Sequence, residues 1–189
     1  ALAYRNYHLK LKVQNTLYQL AGEFGVFSRA LFGYNPGLSA SVRNTPWLET
    51  EIAVLDIGRA RILTAPGELD PMLFVGGKDG SYTPLGMPVV DTTAENAPDL
   101  ALAPADGTYL RDRAIAARPD AEYVFLFGCS EDFMGYFVPE FDYELSRLSP
   151  YTSQAPGEHY EETNSIGPEG WPRLQSKMHE LFDWVPPAP

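Results

Sequence analysis

Leu63-Thr64-Ala65-Pro66-Gly67-Glu68 marks the point where a sheet must end and a loop must begin. Two apolar runs, 51–57 and 59–63, precede this junction, and their isoleucine, valine and leucine content predicts two adjoining strands or a hairpin. The proline removes a backbone donor and disfavours helical geometry in the residue before it, so the chain must turn at the glycine that follows. Glu68 is therefore predicted to lie at a strand end, with a first-turn helix acid as the alternative.

A second strand end is predicted further along the chain. Residues 121–127 form an aromatic and aliphatic run of strand length, which indicates a buried central strand. Gly135 permits a backbone that a larger residue would crowd, so Tyr136 is predicted to lie just beyond this strand. The alternative for Tyr136 is a structural aromatic whose hydroxyl is bound to a backbone carbonyl.

The whole pattern predicts an α+β fold, a sheet with flanking helices. Strands are predicted over 6–14, 50–57, 59–65 and 121–127, and helices over 15–31, 69–75, 108–118 and 168–183. Segment 76–107 is too long for a simple connection, so we expect an insertion or lid loop, or else an excursion that packs on its own domain. Residues 184–189 are predicted to be an extended tail.

Composition excludes several classes of function. The net charge of −11, from 14 basic and 25 acidic residues, disfavours nucleic-acid binding, because phosphate neutralisation needs clustered Lys and Arg. No apolar stretch approaches the roughly 20 residues that cross a bilayer. Cys129 is the single cysteine, so an internal disulfide is excluded and a packed, inert thiol is expected.

An ordered set of motifs resembles the neutral/alkaline, non-lysosomal ceramidase family. The family's Gly-Leu-Ala-Asn-Asp-Glu-Leu-Gly-Tyr-like stretch is matched in register by Gly128, Asp132, Gly135 and Tyr136. Its Pro-Gly-Glu after a strand is matched by Pro66-Gly67-Glu68, and its later pattern by Tyr160-Glu161 and Gly167-Pro168. The resemblance covers most of the chain, although Cys129-Ser130-Glu131 departs from the bacterial Leu-Ala-Asn and the 76–109 region is longer than the family pattern.

The resemblance implies a zinc-dependent N-acyl amide hydrolase that acts on ceramide-type lipids, secreted or periplasmic. By the same resemblance, Glu68 and Tyr136 are zinc ligands, and Tyr160 donates a hydrogen bond to the oxyanion that develops during hydrolysis. The alternative for Tyr160 is a structural aromatic followed by two solvated glutamates. The family takes its two other zinc ligands from histidines in the N-terminal part of the catalytic domain.

None of the three histidines, His8, His159 and His179, occupies a matching motif position. His159 is predicted to be a solvated loop residue, and His179 a surface or boundary residue of the last helix. A complete zinc site therefore cannot be built from these residues, and we expect 1–189 to be the C-terminal portion of a ceramidase-like catalytic domain, either a processing product or the ordered part of a longer polypeptide. The rival hypothesis is a non-catalytic, ceramidase-like structural or binding module.

The first predicted strand suggests how the expected N-terminal half would bind. Leu9, Leu11 and Val13 alternate with polar residues and so share one face of the strand. If half of the domain is supplied separately, this face should be open to water in the present chain and should pack against that half.

Overall fold

A computed structural model describes residues 2–41, 43–76, 89–105, 107–145 and 155–185, and its architecture is α+β as predicted. The strands are β1 (Leu2–Lys12), β2 (Trp47–Ile57), β3 (Ala60–Thr64), β4 (Glu68–Leu69), β5 (Tyr123–Phe127) and β6 (Tyr136–Phe137). The helices are α1 (Thr16–Glu23), α2 (Pro71–Val75), α3 (Leu110–Ala117), α4 (Tyr160–Thr163) and α5 (Gly170–Asp183). Short 3-10 turns occur at Pro36–Leu38, Leu100–Leu102 and Glu140–Asp142.

The main sheet has four strands in the order β1-β2-β3-β5. The predicted hairpin is confirmed: β2 and β3 pair antiparallel, and Gly58, at φ +57°, forms the turn between them. β3 and β5 pair in parallel, with α3 on the connection between them. In the described ranges β5 is an outer strand, so the prediction of a central strand is wrong. A separate two-stranded sheet joins β4 to β6 in parallel.

Helix α1 is shorter than predicted. Asn15 caps its start, because the side-chain oxygen accepts hydrogen bonds from the amides of Leu17 and Tyr18. The helix ends at Glu23, and the backbone then turns at Gly25, whose φ of +68° is incompatible with a right-handed helix. The apolar residues that follow retain helical spacing in the sequence but belong to a loop.

One face of the main sheet is covered by α5, which packs on β1 and β2. Leu9 and Leu11 of β1 are buried with Leu174 and Met178 of α5 in the same apolar cluster. The predicted exposure of the Leu9, Leu11 and Val13 face is therefore wrong, because the C-terminal helix of the same chain covers it. α5 itself begins two residues later than predicted and ends where predicted.

A buried ion-pair network crosses the sheet at Asp56. Its carboxylate accepts hydrogen bonds from Arg61 Nε at 2.8 Å and Nη2 at 3.1 Å, and it also pairs with Arg118 Nη1 at 2.9 Å and with Arg5. Arg61 donates a further bond to the Ala114 carbonyl at 3.0 Å. The network thus joins β1, β2 and β3 to the end of α3.

Two predicted segments fall partly outside the described residues. Of the 76–107 loop, 77–88 and 106 lie outside them, as do 186–189 of the predicted tail. Within the ranges that the structure covers, no helix combines the length and the apolar character needed to span a bilayer.

Candidate functional site

The structure brings Glu68 and Tyr136 together. They are direct partners in the β4–β6 ladder. Partial burial and the neighbouring Glu68 carboxylate raise the pKa of the Tyr136 phenol, so the phenol is protonated. Both residues follow strands of the main sheet, as the sequence predicted.

Two loops meet here at glycines. The Glu68 amide donates to the Gly135 carbonyl at 3.0 Å, and the Met134 amide donates to the Pro66 carbonyl at 2.7 Å. A Cβ atom on Gly67 would lie 2.3 Å from the Gly135 carbonyl oxygen. The Pro-Gly-Glu and Gly-Tyr motifs can therefore approach this closely only because Gly67 lacks a side chain.

The third motif is attached on the other side of β6. The Asn164 carbonyl accepts hydrogen bonds from the Tyr136 amide at 3.0 Å and from the Tyr18 hydroxyl at 2.8 Å. Gly135 has φ +81°, and a Cβ atom there would lie 1.9 Å from the same carbonyl oxygen. The crowding predicted for Gly135 is confirmed, and it places 160–165 against the strand that carries Tyr136.

Tyr160, the predicted oxyanion donor, packs on Tyr136. Its ring meets that of Tyr136 edge-on, with 5.6 Å between centroids and an interplanar angle of 73°. Tyr160 begins α4 and is 61% exposed, so its ring is oriented by Tyr136 while most of the residue faces solvent. The three predicted site residues therefore form one chain of contacts, from Glu68 through Tyr136 to Tyr160.

An acidic cavity of about 260 Å³ lies beside these residues. The carboxylates in its lining are Glu68, Asp70, Asp91, Asp142, Glu158, Glu161 and Glu162. The described part of the long loop contributes a wall, and Asn96 Nδ2 donates to the Glu158 carbonyl at 2.5 Å. Of these carboxylates, only Glu68 was identified from the sequence as a site residue, and the two glutamates after Tyr160 were the only other signal.

Crowding of carboxylates changes the protonation of Asp142. Burial, followed by the negative charges of Asp70 and Glu162, raises the pKa of the Asp142 carboxyl to about 7. The cavity therefore carries a carboxyl group that titrates near neutral pH.

His159 is buried rather than solvated, so its predicted placement is wrong. Its Nδ1 lies 3.0 Å from Glu162 Oε1, and its Nε2 lies 2.9 Å from the Pro156 carbonyl oxygen. Burial alone would lower the pKa of His159, but the hydrogen bond to Glu162 outweighs it and the pKa is raised. Both ring nitrogens have protein partners, which indicates a structural role. His179 is half-buried in α5, consistent with a boundary position.

Two other residues of the motif that ends at Tyr136 are Asp132 and Cys129. Asp132 forms an ion pair with Arg29 and accepts a hydrogen bond from Thr50 Oγ1 at 3.1 Å. Cys129 is exposed, not packed as predicted, and its backbone has a left-handed conformation with φ +53°. Partial burial and the charge of Glu68 raise the pKa of the Cys129 thiol, which disfavours a nucleophilic thiolate.

Glu68 and Tyr136 are suited to bind zinc together. A carboxylate is an ordinary zinc ligand, and a divalent cation would stabilise the phenolate by replacing the phenol proton of Tyr136. Among the described residues, no group of three or more histidine, cysteine, aspartate and glutamate side chains is arranged to hold a metal. These two donors would need further ligands, because catalytic zinc ordinarily has three protein ligands and an open position.

Asp142→Asn is expected to remove part of the pH dependence of stability. Because the pKa of Asp142 is about 7 in the folded protein and 3.8 ordinarily, the folded state binds extra protons between these values and stability falls as pH rises through this window. His159, whose pKa is raised, contributes in the same direction. Urea unfolding at about pH 5 and about pH 8 should show a smaller difference in the variant than in the wild type. Exposed Glu23, changed to Gln, is the control, and an unchanged pH difference in Asp142→Asn would contradict this assignment.

Comparison with family models, with curated proteins and with solved structures finds no match to this chain.

Proposed function

We propose that this chain forms part of a zinc-dependent N-acyl amide hydrolase of ceramidase type. In this proposal Glu68 and Tyr136 are zinc ligands, Tyr160 is the oxyanion donor, and an upstream N-terminal segment or a second chain supplies two histidine ligands. The substrate is a lipid amide, and the resemblance places the enzyme outside the cytoplasm.

The pairing of Glu68 with Tyr136 is the observation that carries the proposal. Neighbouring strands lie about 4.7–4.9 Å apart, so side chains at paired positions can reach a common point between them. The motif resemblance selected these residues from distant parts of the sequence, and β4–β6 makes them neighbours. Tyr160, selected by a third motif, contacts the same pair.

Each side chain has a defined task in this proposal. Bound zinc would polarise the amide carbonyl and lower the pKa of its bound water to about 7. Glu68 and Tyr136 would bring two oxygen donors to one point, and the Tyr136 proton would leave when a cation takes its place. Tyr160, held by the edge contact with Tyr136, would direct its hydroxyl at the oxyanion that develops on the substrate.

The test uses the polypeptide encoded by the complete reading frame. We expect Glu68→Gln to lower zinc content and ceramide hydrolysis together by about 100-fold or more, and Tyr136→Phe to weaken both while the fold is retained. Zinc would be measured by plasma mass spectrometry, amide hydrolysis with a fluorescent ceramide analogue, and folding by circular dichroism. Glu23→Gln and Tyr34→Phe are matched controls, because both residues are at least partly exposed and lie outside the cavity lining and outside the main sheet.

Three results would contradict the proposal. Hydrolysis by residues 1–189 alone at micromolar zinc would show that no further ligands are needed. Full activity and zinc content in Glu68→Gln would remove Glu68 from the metal site. A complete polypeptide that binds no zinc and hydrolyses no amide would favour the non-catalytic binding module instead.

A further inference from the structure

The face of the main sheet opposite α5 is apolar and open. Strand register places six large side chains on this face, and each of them is between 47% and 75% exposed. They are Leu2 and Tyr4 of β1, Ile57 of β2, and Tyr123, Phe125 and Phe127 of β5. We call this set, together with the half-buried Leu55 and Ile62 between them, the apolar face.

The apolar face is continuous across all four strands. Tyr4 pairs with Leu55, Leu55 with Ile62, and Ile62 with Phe125, so one row of apolar side chains crosses the whole sheet. A parallel row runs through Leu2↔Ile57, Ile57↔Ala60 and Ala60↔Tyr123. The four half-exposed aromatic rings alone expose on the order of 400 Å² of apolar surface. This area is comparable with the largest apolar patch on a typical monomer.

The strand types also indicate a missing layer. Sheets made only of parallel strands occur almost only with both faces covered, and this mixed sheet contains one parallel pair, β3–β5. β5 is apolar at every position, Tyr-Val-Phe-Leu-Phe, as strands buried on both faces are. Its inward residues Val124 and Leu126 pack on the core, whereas its outward aromatics contact solvent.

The face changes character at its far end. Beyond Tyr4, the same face of β1 and β2 carries His8, Lys10, Glu49 and Glu51, and the Tyr4 hydroxyl itself donates to Glu51. A covering layer would therefore lie over the β3–β5 side and the start of β1, whereas the charged end is suited to water.

We propose that the apolar face is the docking surface for the polypeptide segment that supplies the remaining zinc ligands. This inference rests on the proposed function, because that function requires such a segment. The face ends at Thr64 and Phe127, and the next residues begin the loops that carry Glu68 and Tyr136, with the Ala65 amide bonded to the Phe127 carbonyl at 2.9 Å. A segment that lies on the apolar face therefore reaches the edge of the site. One segment would then both cover the face and supply the zinc ligands.

Charge disfavours a second copy of this chain as the occupant. Each copy has a net charge of −11, so association of two copies brings like charges together. A second copy would also bring another acidic cavity.

Thiol labelling tests the docking surface without using activity. Phe125→Cys and, as a control on the charged end of the same face, His8→Cys would each be made in a Cys129→Ser background, in residues 1–189 and in the complete polypeptide. We expect a maleimide to label position 125 at least about 10-fold more slowly in the complete polypeptide than in 1–189, and position 8 at similar rates in both. Sedimentation would give the oligomeric state of each sample.

The outcomes separate this inference from the proposed function. Equal labelling of position 125 in both polypeptides would overturn the docking surface, whatever the zinc content. Protection of position 125 in 1–189 itself, together with a dimer by sedimentation, would also overturn it, because a second copy would then cover the face. Protection only in the complete polypeptide supports the surface, and if that polypeptide lacks zinc and amidase activity, the docking surface stands and the proposed function fails.

Discussion

Asp56→Ala is expected to lower the free energy of unfolding by about 3–5 kcal/mol, because it leaves buried arginines without their counter-charge. Asp56 and Arg61 have side chains that are only 8% and 3% exposed, and Arg5 and Arg118 complete the cluster. Removing the carboxylate leaves the positive charges in a poorly hydrated part of the sheet. The same carboxylate joins three strands, so its loss weakens the sheet as a whole.

Denaturant unfolding of 1–189, followed by circular dichroism, measures the effect. Glu122→Ala is the matched control: its ion pair with Arg59 is exposed, with side chains 41% and 66% accessible, and should contribute less than about 1 kcal/mol. Equal losses in the two variants would show that the Asp56 network contributes no more than a surface ion pair.

The Asp56 network also predicts that the stability of the protein depends on pH in the acidic range. Burial would raise the pKa of Asp56, but hydrogen bonds from Arg61 and Arg5 outweigh it and hold the pKa well below its usual value. The stabilisation is therefore present above the ordinary pKa of 3.8 and is lost as pH falls through the folded-state pKa. Asp56→Asn should lack this acid-dependent loss.

Gly135→Ala is expected to destabilise the protein by about 2–5 kcal/mol, from a strained backbone and a steric overlap. Its φ of +81° disfavours any L-residue with a side chain, and the new Cβ atom would overlap the Asn164 carbonyl oxygen. That carbonyl also accepts the Tyr136 amide, so relief requires the strand that holds Tyr136 to move. We therefore expect the Glu68–Tyr136 pair to separate as stability falls.

Gly25→Ala separates the effect of backbone strain on stability from the effect of steric overlap. Gly25 has a similar φ of +68°, but no atom lies within 4 Å of a Cβ built there. Thermal and denaturant unfolding should give a loss of about 1–2 kcal/mol in this control, the conformational part alone. If Gly135→Ala lowered the free energy of unfolding no more than Gly25→Ala does, the close approach to Asn164 would not constrain the site.

Sequence patterns predicted the longer elements because a periodicity needs length to be recognised. The β2–β3 hairpin, β5 and α5 all follow apolar patterns, and α1 was extended too far only because apolar spacing continues past Gly25. β4 and β6 have two residues each, too few for a period of two to appear, although they form the centre of the candidate site.

Tertiary environment was harder to predict than local structure. Asp56 lies between Leu55 and Ile57 in an apolar strand, and such a charge indicates a buried partner without identifying it. The burial of His159 and the raised pKa of Asp142 depend on segments that meet only in the folded chain. Alternation in β1 identified the face of Leu9 and Leu11 as the packed one, but it did not show that α5 of the same chain covers that face.

The packing of α5 on β1 has a consequence for synthesis of the protein. β1 is made well before the helix that covers Leu9 and Leu11, which is completed only at Asp183. During translation α5 cannot cover these leucines until it has itself left the ribosome. Nascent chains interrupted before α5 should therefore be captured by chaperones or degraded, whereas chains that include it can close their core.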